Sequence, residues 1–368
     1  MQGRGTGRVE RIGVLTGGGD CPGLNAAIRA VTKTAINEYR MSVVGFKDGY
    51  EGLVERRFKE LSYDDVSGIL TSGGTILGTS NKADPFRYCV REKQGMACSD
   101  LSGQAIDNAR RLGVRALICI GGDGTLSIAH RLWKKGLPCI GVAKTIDNDL
   151  GGTEVTFGFD SALTTAAEAI DKIRTTAESH HRVMVVEVMG RYVGWIALYT
   201  GLAGGGDVIL IPEIPYRMDV ICALVKARHR KGRRFSIIVV SEGARPVGGK
   251  PVVDRVVGGS PDPVRLGGVG RVLAGEIERR TGIETRVTVL GHLQRGGEPT
   301  VFDRILASRF GEGAVRLAAE GRFGRMVGIR GDAIISVPLL KAVTRLKRVP
   351  RNSPLIRVAR AVGTSFGI

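Results

Sequence analysis

RIGVLTGGGDCPGLNAAIRAVTKTA, residues 11–35, carries a short apolar run, three consecutive glycines with an acid behind them, a proline, and then apolar residues at helical spacing (Ala26, Ala27, Ala30, Val31, Ala35). That is the grammar of strand, glycine turn and helix. It returns at 114–120 (VRALICI), 121–125 (GGDGT) and 126–135, and again at 138–143 before a helix beyond Ser161. Further candidate strands lie at 182–188 (RVMVVEV), 207–211, 235–241 and 285–290, each followed by polar or glycine-rich residues. Runs such as ALICI are apolar on both faces, as strands of a parallel sheet covered on both sides must be. The predicted fold class is therefore α/β, with two doubly wound units whose sheets are mostly parallel. Ligands in such sheets collect at the carboxyl ends of the strands, where the glycine turns fall.

Working outward, 368 residues exceed one ~150-residue domain, and a hydrophobic fraction of 43% with 24% charged residues excludes wholesale disorder. Glycine supplies 54 residues, about twice the usual ~7%, without a collagen period, so the excess serves turns and close backbone approaches. The net charge of +18 favours an anionic partner. Two segments concentrate it, 226–234 (KARHRKGRR) and 341–360, the latter without an acid. Neither interleaves aromatic residues, so both read as solvated basic faces and no nucleic-acid partner is expected. The six cysteines (Cys21, Cys89, Cys98, Cys119, Cys139, Cys222) form no CxxC pair, which suits a reduced, cytoplasmic setting. Residues 1–10 are polar and glycine-rich, and no apolar stretch approaches ~18 residues, so neither secretion nor membrane spanning is expected. The proline- and glycine-rich stretch 244–266 reads as a loop without chemistry.

The glycine turns invite phosphate, because consecutive backbone N–H groups and the N-terminus of the following helix hold an anion without side chains. Gly18, Gly19, Gly122, Gly124 and Thr125 are the candidates. Asp123 among them would repel phosphate unless a divalent cation sits between, which points to Mg²⁺. Thr145 to Asp149 (TIDND) places Asp147 and Asp149 two residues apart; if extended, both face one side and could share a metal or divide metal and base duties, although an Asx turn is the ordinary use for such a stretch. Arg191 in MGR and His292 and Arg295 in TVLGHLQRGG end apolar strands, where guanidinium forks suit phosphate oxygens. Glu187, inside an apolar strand, reads as hydrogen-bonded support, and Glu242, just past a strand end, as an acceptor for sugar hydroxyls.

In this order, GGGDCPGLNAAIRA, GGTILG, GGDGTL, KTIDNDLGGT, EVMGRYVGW and GHLQRGG closely resemble the 6-phosphofructokinases. GGDGT alone also resembles NAD kinases and diacylglycerol kinases; TIDND with MGR and GHLQRGG separates the phosphofructokinases from both. The resemblance implies two Rossmann-like domains with the active site in the cleft between them: residues 1–158 with 294–344 for the phosphoryl donor, and 159–293 with 345–368 for fructose 6-phosphate. It implies Asp147 as general base, Asp123 and Asp149 on Mg²⁺, Thr145 hydrogen-bonded to substrate or phosphate, and Arg191 neutralising charge on the transferring phosphate. It implies that Met189, Gly190 and Glu242 line the sugar and that Arg182, Arg286, His292 and Arg295 grip its phosphate. In the family, residues matching Arg182 and Arg286 reach in from a neighbouring subunit, so a homo-oligomer is implied, a dimer at least and usually a tetramer.

The donor implied by the resemblance is ATP or pyrophosphate. Gly124 leaves room for the α-phosphate of ATP, where pyrophosphate users resemble one another in having Asp. Lys144, before TIDND, is the residue typical of pyrophosphate users. The steric argument is the stronger, and it favours ATP. After GGTILG the family often has an arginine; this chain reads Thr79, Ser80, Asn81, Lys82, and Lys82 would supply the charge from the next position.

Overall fold

The computed structural model describes residues 11–92, 95–257 and 263–368. The polar stretch 1–10 lies outside them. The strands gather into two main sheets. In the first, the strands run in the order Ala333–Pro338, Arg325–Arg330, Cys139–Ala143, Val114–Gly121, Arg11–Thr16, Ser42–Phe46, Phe58–Leu61. The five central strands are mutually parallel, and each outer strand is antiparallel to its neighbour. The second sheet, in the order Thr285–Val289, Val183–Val188, Ser236–Ser241, Val208–Leu210, is parallel throughout. The fold is thus α/β with two Rossmann-like, mostly parallel sheets.

Alternation within the strands explains why both faces are covered. Val183 and Val185 point to one side of the second sheet, with Ile238 and Val240, against Ile221 and Val225 of helix Met218–Arg230 and Leu273 and Ile277 of helix Val269–Thr281. Met184, Val186, Ile237 and Val239 point to the other side and join the core shared with the first sheet. Each such fully buried side chain contributes about 1.5–3 kcal/mol relative to exposure. In the first sheet, helices Leu24–Tyr39 and Val301–Ala319 press together so closely that a Cβ at Gly311 would lie 2.7 Å from the Ala30 Cβ.

Helix Phe159–His180 leads into the second sheet, and its start is tied to helix Val301–Ala319 by buried polar bonds. Asp303 Oδ2 accepts from the Ser161 amide at 2.8 Å and hydroxyl at 2.7 Å, while Thr300 Oγ1 donates to Asp160 at 2.6 Å.

Both sheets reverse their winding at a strand that matters for function. Arg11–Thr16 has Ser42–Phe46 on one side and Val114–Gly121 on the other, so the crevice above its carboxyl end lies between the turns 17–19 and 121–124. In the second sheet the reversal falls at Val183–Val188, whose carboxyl end runs into Met189, Gly190 and Arg191. Such crevices are where open α/β sheets take their ligands.

Two sequence expectations change here. Stretch 244–266 is more than a loop: Val253–Val256 pairs antiparallel with Val264–Leu266, residues 258–262 lying outside the described ones. The cysteines are not all free. Cys89 and Cys98 face each other across the antiparallel strands Tyr88–Glu92 and Gly95–Ser99 and form a disulfide. Their spacing gave no signal because the hairpin register, not a local motif, makes them partners. Cys21, Cys119, Cys139 and Cys222 are buried thiols. Among the described residues no helix is long and apolar enough to cross a membrane. Protein unfolded without reductant should therefore titrate as four thiols against six after reduction, a difference that a thiol-reactive dye reads directly.

Candidate active site

The first glycine turn is fixed before any ligand arrives. Gly17 N donates to Ile120 O at 3.0 Å, Gly18 N to Ser80 O at 3.1 Å, and Thr79 Oγ1 to Gly18 O at 2.7 Å. Gly18 has φ 77°, a left-handed conformation that glycine adopts without strain. Lys144 lies beneath the turn: its Nζ donates to the carbonyls of Gly17, at 3.0 Å, and of Gly19. Burial draws its ammonium below the usual lysine range. The lysine read from sequence as a mark of pyrophosphate users therefore braces the turn from inside.

The second turn opens helix Asp123–Lys134, with Gly122 as its cap residue. A Cβ at Gly121 would fall 2.3 Å from Cβ of Thr125, so glycine is required there for close packing. Gly124 differs. A Cβ there would meet nothing within 4 Å, and its φ is not positive, so neither packing nor backbone explains the glycine. Asp123 and Gly124 are exposed at the helix N-terminus, while Thr125 is buried. Lys82 is exposed, its amide bonded to Ser80 Oγ at 3.3 Å next to the first turn.

The acids sit where strand Cys139–Ala143 ends. The segment turns rather than extends: Asn148 has φ 53°, and the Asp147 amide donates to Thr145 Oγ1 at 3.1 Å. The reason is local hydrogen bonding, which the threonine side chain supplies in place of a ladder. Asp149 is buried and Asp147 half-buried, and Oδ1 of each is shut from water with no hydrogen-bond partner among the described residues. Burial raises the pKa of Asp147, opposed by Arg295 and reinforced by Asp123. Burial, then Asp147 and Asp123, push Asp149 up to about 7. Orphaned carboxylate oxygens in this position are ready to accept a proton or a cation.

From the second sheet, Glu242 approaches the same space. Burial pushes it up to about 7, with the charges of Asp147 and Glu187 adding to the effect. Met189 and Gly190 follow the neighbouring strand; Gly190 has φ 133°, and its carbonyl accepts from Ser241 Oγ and from Gly243 N at 3.2 Å. A Cβ at Gly243 would lie 2.0 Å from the Arg191 carbonyl, so the loop bearing Arg191 rests directly on that glycine. Arg191 stacks on the Tyr192 ring at 4.9 Å. Glu187 is support, as the sequence suggests: its carboxylate accepts from Gly268 N at 2.9 Å and Gly270 N at 2.8 Å, at the start of helix Val269–Thr281.

The structure thus brings Gly18, Gly19, Asp123, Thr145, Asp147, Asp149, Glu242 and Arg295 toward one cleft. Arg295, in the turn Gly291–Arg295, leans onto Gly19 and donates to Asp20 O at 3.0 Å. His292 is exposed on the same turn. Arg182 and Arg286 are not brought in: they share Glu284, at 2.9 and 2.6 Å, at the amino end of the second sheet. Met189 and Glu242 lie at the carboxyl end, and a strand of this length separates the two by about 20 Å.

Sequence reasoning missed Asn25, whose side chain donates to Ser72 O at 3.1 Å and Gly73 O at 3.0 Å and accepts from Ile76 N at 2.8 Å, holding GGTILG against the first turn. An asparagine inside the apolar run LNAAIRA was the available signal. Glu213 and Lys347 were also missed, and no local pattern marks them.

Backbone amides and a helix N-terminus facing an acid pair held out of water suit phosphoryl transfer, so fold and site together define a phosphotransferase built on paired doubly wound sheets. The chain belongs to the phosphofructokinase family, whose description, Phosphofructokinase, matches residues 11–318. It is 50% identical over 360 residues to "ATP-dependent 6-phosphofructokinase 2" of Clostridium perfringens, covering 97% of this chain and 98% of the relative. It is 51% identical over 340 residues to "Pyrophosphate--fructose 6-phosphate 1-phosphotransferase" of Streptomyces coelicolor, covering 92% and 96%. Among solved structures, phosphofructokinase of Pichia pastoris in the T-state superposes with TM-score 0.78 at 34% identity, covering 98% of this chain, which spans 37% of that longer one.

The raised carboxyl of Glu242 has a stability consequence. A folded-state pKa above the unfolded ~4.3 stabilises below that value, and the contribution is lost as pH rises through about 7. Glu242→Gln should therefore raise the melting temperature more at pH 8 than at pH 5, as scanning calorimetry of the ligand-free protein would show.

Proposed function

We propose that this chain is an ATP-dependent 6-phosphofructokinase, moving the terminal phosphoryl group of ATP to the 1-hydroxyl of fructose 6-phosphate and yielding fructose 1,6-bisphosphate for glycolysis. The observation that carries the reading is the acid turn: Asp147, with an unpartnered oxygen, stands at the carboxyl end of one sheet within electrostatic reach of Glu242 from the other.

Asp147 takes the proton of the 1-hydroxyl as that oxygen attacks the terminal phosphorus, and ADP leaves. Its raised pKa moves it toward the operating range that suits a general base. Thr145 hydrogen-bonds substrate or phosphate, and Arg191 neutralises charge on the equatorial oxygens. Gly18, Gly19, Gly122, Gly124 and Thr125 cradle the donor phosphates, with Lys82 adding charge. Asp123 and Asp149 fit Mg²⁺: Asp149 presents an orphaned oxygen, and this ion is commonly held by one or two carboxylates plus substrate phosphates. When bound, the ion supplies charge neutralisation at the transferring phosphate.

Met189, Gly190 and Glu242 line the sugar, and His292 and Arg295 grip its phosphate together with Arg182 and Arg286 supplied by a second copy. The remoteness of those two arginines from Glu242 within one chain supports this. So does exposed apolar surface beside His292, where Val289 is 45% and Leu293 67% accessible. A tetramer is the proposed assembly, with a dimer as the minimum. Division at 158, 293 and 344 separates donor and sugar domains. The cytoplasm is the proposed location, where the partly exposed Cys89–Cys98 bridge would be open to thiol exchange.

Pyrophosphate as donor is the second reading, favoured by Lys144 and by the Streptomyces coelicolor relative. The open space beside Gly124 speaks for ATP, since an aspartate there would fill it with bulk and charge. A coupled assay with fructose 6-phosphate should give turnover with ATP and little with pyrophosphate. The reverse result would make the second reading the correct one.

Asp147→Asn should lower kcat by about 10²- to 10⁴-fold with both substrates still bound, as steady-state and equilibrium titrations would establish. Gly124→Asp should raise KM for ATP sharply while leaving the fold intact, because its backbone conformation is open to any residue.

A further inference from the structure

Most of the basic tail is the solvated face expected from sequence: Lys341, Arg345, Arg348, Arg351, Arg357 and Arg360 are exposed. Lys347 departs from that expectation. Its side chain turns inward, and Nζ donates to Asn148 Oδ1 at 2.6 Å, Glu154 O at 2.7 Å and Thr153 O at 3.2 Å. An ammonium has three N–H donors, so this one has none left for a phosphate. The Lys347 amide donates to Asp149 O at 2.7 Å. Side chain and main chain thus hold two adjacent residues of the acid turn.

The same short segment is fastened on its other side. Trp195 Nε1 donates to Lys347 O at 2.7 Å. Val349 N donates to Glu213 Oε1 at 2.9 Å, and that carboxylate also accepts from Gly194 N, 3.1 Å from each oxygen. Gly194 and Trp195 begin helix Trp195–Ala203, which directly follows the loop of Met189, Gly190 and Arg191. Residues 347–349 therefore connect the turn bearing Asp147 and Asp149 to the loop bearing Arg191, across the two sheets.

Asn148 is the point on which this connection acts. It lies between the two acids in a left-handed conformation, φ 53°, which is uncommon for residues other than glycine and sets the directions of both neighbouring side chains. We propose that Lys347 is a positioning residue for phosphoryl transfer: by holding Asn148 Oδ1 and the Asp149 carbonyl it fixes the acid pair relative to the Arg191 loop. The proposal rests on Asp147 being the base of the reaction set out above.

The test uses the full chain with ATP and fructose 6-phosphate, comparing wild type, Lys347→Met, Asn148→Gly and the double variant. Misplacing a catalytic group by about 1 Å costs about 10²-fold in rate, so Lys347→Met should lower kcat by that order. KM for both substrates should stay within about twofold, a split that general loosening of the fold would not produce. Because Lys347 acts through Asn148, the double variant should be no slower than Asn148→Gly alone. Should Lys347→Met fail to fold, Trp195→Phe removes the indole hydrogen bond to the Lys347 carbonyl while keeping an aromatic ring against Lys347 and Tyr199, and should lower kcat about tenfold at unchanged KM. The proposal is overturned by a kcat for the folded Lys347→Met, or failing that Trp195→Phe, within about twofold of wild type, by losses that multiply in the double variant, or by a fall in kcat matched by an equal rise in KM. A wild-type chain inactive on fructose 6-phosphate would overturn the proposed function instead.

Discussion

Two carboxylates separated by one residue, each with an oxygen shut from water and neither in an ion pair among the described residues, are the constraint around which the rest of this molecule is arranged. Like charges this close repel, and burial strengthens the repulsion by removing the solvent that would screen it. Such an arrangement persists only because the surroundings hold it: Thr145 bonds the Asp147 amide, Lys347 bonds Asn148 and the Asp149 carbonyl, and Arg295 supplies opposing charge from the far side. A proton on either acid, or a cation beside it, relieves that repulsion.

The glycine turns show the complementary economy. One is bound by main-chain bonds to Ile120 of strand Val114–Gly121 and to Ser80, with a buried ammonium underneath, so its backbone is held in one conformation. The other shapes the mouth of a helix. Preorganised amides lose little freedom when an anion arrives.

Much of this was legible in the chain. The strand, turn and helix grammar at 11–35 predicts the parallel sheets because hydrophobic periodicity reports directly on burial, and both glycine turns and TIDND lie at strand ends as read. The extended conformation considered for TIDND was not found, since a threonine hydroxyl competes for the backbone there. What could not be read depends on contacts between distant segments. Lys347 meets Asn148 across 199 positions, and Val349 meets Glu213 across 136, separations at which composition sees only a basic run and a lone acid. The Cys89–Cys98 pair depends on hairpin register, and the outward course of Arg182 and Arg286 depends on which end of a strand each occupies.

The indole of Trp195 ends up as a built-in optical reporter. Of the two tryptophans, Trp133 is wedged under Gly324 at the far end of helix Asp123–Lys134, where a Cβ would come within 2.5 Å of its ring. Trp195 instead hangs its N–H on the tail segment that joins the two halves of the cleft. A ligand-dependent change in intrinsic fluorescence that disappears in Trp195→Phe is therefore assigned to the second.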